Sequence, residues 1–190
     1  MYRVVMKHIV IVVALLSATL NAHPALSETT PSNRASVASV VDSWVTKIEQ
    51  LTIPAADALP EARYAFAPTR GEFAGVRTFG EQVKHLAAAN YQLAAKALGE
   101  EPPAGTRDET APPSVKTKSD IMAYLKGSFA ALHRAATGLT LRNVESPIAV
   151  RSETQSALGL IIDALTHAQN HYGQMVEYLR MNRIVPPASR

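Results

Sequence analysis

Two histidines, His167 and His171, stand four residues apart in the stretch HAQNH. On an α-helix four residues advance about 6 Å, at about 1.5 Å each, and return the side chain to nearly the same face. Imidazoles so placed can reach one ion at a metal–nitrogen distance of about 2.0–2.1 Å. Taken alone the pair has a second reading, because two histidines four apart also occur by chance on solvated helix faces. The spacing is not that of a zincin: Ala168 stands where HExxH carries its general base, so a metalloprotease mechanism has no support. A third ligand would decide between the readings. His85 lies in EQVKHLAAANY, between Val83 and Leu86. It reads either as a half-buried histidine bonded to a carbonyl or as a ligand aimed into a helical bundle, where such folds build metal sites. Three neutral imidazoles with one open position would make a Lewis-acid centre able to hold water or a substrate thiolate. His133, beside Arg134 in ALHR, reads as structural or solvent-facing, and His8 and His23 fall in or next to an N-terminal export segment.

Supporting side chains are weighed the same way. Gln174 is three residues past His171 and seven past His167, so it shares their face; it either orients an imidazole or is solvated or capping. Asp163, four before His167, either accepts the other ring N–H or is an exposed acid. Asn90 and Tyr91 are candidates for the mouth of a pocket, and Trp44 reads as core.

Four elements must position these groups. Val37, Val40, Val41, Trp44, Val45, Ile48 and Leu51 recur at helical spacing, predicting a helix over about 35–52 that Pro54 ends. Residues 53–77 form a long connection rich in Pro, Gly and aromatics, which Tyr64 and Phe66 anchor to the bundle. Thr78 and Glu81 form a capping box opening a second helix, which runs to about Leu98 and stops at Gly99. A Pro-rich loop over 99–118 precedes a third helix that starts at Ser119 and Asp120 and ends at Gly138. Ser152 and Gln155 read as another capping box for the last helix, which continues until Pro186 and Pro187. Strand signals are weak. The expected fold is all-α, a four-helix bundle over 35–187 with a long connection between its first two helices.

Composition narrows the function. The chain has 190 residues, 47% of them hydrophobic, enough to bury a real core. It has no cysteine, which excludes disulfides, thiolate metal sites and a thiol nucleophile of its own. Residues 1–25 have the layout of a secretory signal peptide: Arg3 and Lys7, then the apolar run Ile9–Leu16, then small residues, with cleavage between about 22 and 27. A polar lead-in follows over 26–34. The expected location is therefore exported, periplasmic or secreted, with no stable membrane anchor after cleavage. Losing Arg3 and Lys7 takes the 19 basic residues to 17 against 16 acidic ones, with no basic block, so no nucleic-acid partner is expected.

The segment RTFGEQVKHLAAANY (77–91), followed far downstream by HAQNHYGQMVEYLRMNRIVPP (167–187), resembles the DinB-like superfamily of metal-binding helical bundles, which is also linked to bacillithiol transferases and mycothiol-dependent isomerases. YAFAPT (64–69) fits the stretch before that family's first His helix, and the resemblance spans roughly 35–187. It implies a divalent metal, zinc or nickel, on His85, His167 and His171, with water completing the shell. It implies a function ranging from thiol transfer to no assigned reaction. An export signal sets this chain apart from cytoplasmic members. The expectations are thus an exported metal-dependent transferase or hydrolase acting on a small molecule, or a non-catalytic metal-binding or interaction module that could pair as a homodimer through an exposed helix face, or a bundle whose histidines are incidental.

Overall fold

The computed structural model describes residues 35–68, 75–106, 110–150 and 152–190. The expected signal peptide (1–25) and lead-in (26–34) lie outside the described residues. Each helix begins where a side chain can accept an orphan N–H. Ser36 caps α1 (Val37–Ala58), accepting the Ser39 N–H at 3.1 Å. Thr78 and Glu81 close the expected capping box on α2 (Phe79–Leu98), at 3.3 Å and 2.8 Å. The hydrogen bonds from Thr78 hold the Glu81 carboxyl below its usual range. Gly99 ends α2 in the left-handed region, at φ 69°. The box on α3 (Lys118–Thr137) is made by Thr117 and Asp120, so the helix starts one residue before the expected Ser119. Helix α4 (Ala157–Met181) is capped by Ser156.

Three expectations change. Pro54 does not end α1 but sits inside it. Its missing N–H leaves the Gln50 carbonyl without a helical donor, yet both residues are exposed, so water can serve that carbonyl. Burial of Ala55, Ala56 and Leu59 holds the last turn in place. Residues 152–155 form no capping box. Glu153–Ser156 are a strand, β2, paired antiparallel with β1 (Pro147–Val150) in the register Pro147↔Ser156 to Val150↔Glu153. Finally, Trp44 is not core: it is 51% exposed, with the Lys47 ammonium 4.2 Å above its ring. The apolar stripe of α1 is wider than the face the bundle covers, and Val40 is left outside with it.

Neighbouring contacts give the topology. Lys118 meets Asp57 and His133 meets Asp42, so α1 and α3 run antiparallel. Gly80 packs near Ile121, Asn90 donates to Ser128 and Leu98 lies near Gly138, so α2 and α3 run parallel. Gln82 faces Gln174 and His85 faces His171, so α2 and α4 are antiparallel. Around the bundle the order is α1, α3, α2, α4. Parallel neighbours explain the length of the 99–117 connection, which must retrace a helix about 30 Å long. Val45, Leu59, Phe79, Val83, Leu86, Leu125, Phe129 and Met175 fill the centre. The connection after α1 is anchored as its aromatics suggest. The Tyr64 hydroxyl donates to the Ala56 carbonyl at 2.7 Å, its ring meets Phe79 edge-on, and Phe66 meets Tyr178 in the same way. No helix among the described residues is long and apolar enough to cross a membrane.

Candidate metal centre

His85 projects from α2 and His167 and His171 from α4, where the two helices pack together. The antiparallel register brings all three rings to one place. Ring centroids are 5.1 Å apart for His85 and His167, 4.9 Å for His85 and His171, and 4.3 Å for His167 and His171. One nitrogen from each ring lies within 4.8 Å of the other two. His85 and His171 are buried, each 5% exposed, and His167 is half-buried. Among the described residues this is the group of His, Asp and Glu side chains that could hold an ion.

The donor set fits a divalent transition metal. Nε2 of His171 lies 2.9 Å from Nε2 of His167. Two nitrogens on a tetrahedral ion stand about 3.3 Å apart when each bond is about 2.0–2.1 Å. A few tenths of an ångström would therefore convert a hydrogen-bonded pair into a pair of ligands. Ligation also needs neutral imidazole. Burial, then the neighbouring His167 and His85, then Arg77, push His171 down from 6.5 to about 3, so it is neutral at pH 7.

Two amides complete the inner surroundings. Nε2 of Gln82 is 2.5 Å from Nδ1 of His171 and donates to Oε1 of Gln174 at 2.5 Å. Gln174 thus reaches His171 through Gln82. Gln82 is 2% exposed and is absent from the candidates that the sequence offers. Its signal was present: it precedes His85 by three residues, so the two share a face of α2.

Beside the cluster is a cavity of about 440 Å³ between α2, α4 and the hairpin, reaching His167, Asp163, Lys96, Gln92 and Gln155. Asp163 is an exposed acid on its wall. Asn90 and Tyr91 do not line it. Five and six residues beyond His85 on a 3.6-residue helix, they have turned onto other faces. Asn90 is buried against Ser128, and Tyr91 stacks on Tyr124 at 5.1 Å. Positions 89, 92 and 96, which return to the His85 face, line the cavity instead. His85 itself borders a separate hollow with Arg77, Glu81 and Lys84.

His133 takes no part. It bridges α3 to α1, with Nδ1 2.5 Å from Asp42 and Nε2 3.2 Å from Glu49. Burial opposes its charge, but the hydrogen bonds and fields of the two carboxylates outweigh that and raise its pKa.

Four helices that bring three imidazoles together between an antiparallel pair define a helical-bundle protein with a candidate metal centre. The family model described as the DinB superfamily matches residues 45–175, and the chain belongs to that superfamily. Among curated proteins, none matches the chain.

Proposed function

We propose that this protein binds one divalent transition-metal ion, zinc or nickel, on His85, His167 and His171, and uses it as a transferase or hydrolase on a small molecule outside the cytoplasm. The observation that carries this reading is the convergence of three imidazole nitrogens within 4.8 Å. Three protein ligands leave a coordination position for water or substrate, as catalytic zinc sites do, whereas structural sites are closed by four. The bound ion would act as a Lewis acid, lowering the pKa of a water or thiol there.

This chain's own residues prepare the rest. His171, held neutral by burial, can offer a lone pair without first losing a charge-bearing proton. The wall of α2 and α4 shields one side of the cluster from water, while the cavity at His167 leaves room for a ligand. Asp163, Gln155 and Lys96 place a carboxylate, an amide and an ammonium group around that cavity, enough polar chemistry to orient a small polar substrate. Residues 1–25 support export, and the exposed Val40 and Trp44 offer a face on which two copies could pair.

The test is metal analysis of purified protein, followed by assays of the zinc- and nickel-loaded forms against thiol–electrophile and hydrolase panels. One ion per chain is expected, with turnover lost in His167→Ala. One ion per chain without turnover would favour a non-catalytic metal-binding module. No bound ion would leave the histidines incidental. Fractionation of cells expressing the full chain tests export.

A further inference from the structure

We propose that Gln82, locked by Gln174, sets which ring nitrogen of His171 carries the proton, and that both amides turn over when metal is taken up. The inference rests on the metal reading above. It starts from the hydrogen-bond pattern around one buried nitrogen. The Gln82 amide nitrogen has two hydrogens, and two acceptors stand 2.5 Å away: Oε1 of Gln174 and Nδ1 of His171. An Nδ1 that accepts is unprotonated, so the proton of the neutral His171 ring sits on Nε2. That Nε2 faces Nε2 of His167 at 2.9 Å, which completes the pattern as an N–H to nitrogen bond.

The same nitrogen, Nε2, is the one turned toward His167, while Nδ1 is taken up by Gln82, so Nε2 is the one left to ligate. It can do so only after giving up its proton. A neutral imidazole meets this need by changing tautomer: Nε2 loses a proton to solvent, Nδ1 gains one, and the ring keeps its charge. Nδ1–H then needs an acceptor. Gln82 is 2% exposed, so water is a poor substitute, and the amide itself must turn to present its oxygen. Gln174 must turn with it, since its oxygen would otherwise face the Gln82 oxygen; its own amide hydrogens then donate to Gln82. One arrangement suits the metal-free ring and the reverse suits the ligating ring. Gln82 is in this sense a positioning residue, acting through His171.

The test compares wild type with Gln82→Glu and Gln82→Leu. A carboxylate can only accept, so it mimics the metal-loaded arrangement; leucine has about the same bulk and no polar atom. In zinc titrations at pH 7.5, Gln82→Leu should bind about 10- to 100-fold more weakly than wild type, and Gln82→Glu should match or exceed wild type. Long-range proton–nitrogen NMR of the metal-free proteins should put the His171 proton on Nε2 in wild type and on Nδ1 in Gln82→Glu. Equal zinc affinity in wild type and Gln82→Leu would overturn the proposal, as would equal weakening by both variants, which marks a merely structural role. If wild type takes up no zinc, the metal reading fails separately. The metal-free tautomers then decide alone: the same tautomer in wild type and Gln82→Glu overturns the inference, and different ones uphold the control of His171 by Gln82.

Discussion

His171 and His133 are the same side chain pushed in opposite directions. The first lies between α2 and α4 among two imidazoles and an amide, with no carboxylate among its hydrogen-bond partners, and is driven down to about 3. The second lies between α3 and α1, with a carboxylate on each ring nitrogen, and is driven up. Burial acts against charge in both places. What differs is the company each ring keeps: uncompensated burial favours a neutral lone-pair donor, whereas two anions favour the charged form of a ring that ties helices together. A candidate ligand and a clamp are thus made from one residue type by the helix faces opposite it.

The largest test of this contrast is removal of a ligand. His167→Ala should reduce metal content from one ion per chain to none by elemental analysis, while His133→Ala should leave it unchanged. Chelation should act in the same direction on stability. An ion present at about 1,000 times its Kd adds about 4 kcal/mol to the folded state, so its removal should lower Tm by about 10 °C at about 2–4 °C per kcal/mol, read by calorimetry.

Acid sharpens the comparison. A histidine whose folded pKa lies below its ordinary 6.5 resists protonation that the unfolded chain accepts, so stability is present above 6.5 and lost as pH falls toward about 3. Denaturant melts of metal-free protein between pH 7 and 4 should show that slope, and His171→Leu should flatten it. His133 has the other sign. Its raised pKa gives stability that is fully present below 6.5 and is lost as pH rises through the folded value. Asp42→Asn should cost about 1 kcal/mol at pH 6, a figure kept small because the pair is about one-third open to solvent. The difference from wild type should shrink by pH 9. The smallest effect belongs to Trp44→Ala, expected within about 0.5 kcal/mol of wild type in the monomer because the ring is already half exposed. A loss of dimer in that variant, by light scattering, would instead identify the face on which copies pair.

What could be read in advance follows from how local each feature is. The caps at Thr78 and Gly99 are decided within one helical turn, and both stand where their residue types place them. The pair His167 and His171 needs only helix geometry. Closing the triangle with His85 depends on register between α2 and α4, which spacing alone does not encode; there the family motifs supplied what periodicity could not. Gln82 escaped notice because glutamine on a helix is usually solvated, and only the facing Gln174 and His171 give it a role. The hairpin at 147–156 escaped because its strands are four residues each, too short for an alternating pattern to stand out. Trp44 misled because apolar spacing reports a helix face without saying whether a neighbour covers it.

Because all three imidazoles ride on just α2 and α4, the centre works as a gauge of how those two rods are seated against each other. A slip by a single residue would displace His85 along the axis by about 1.5 Å and swing it about a quarter-turn or more away. Whatever loosens the apolar packing beneath them, however far from the rings, should therefore be felt first as a weakened grip on any ion the three rings hold.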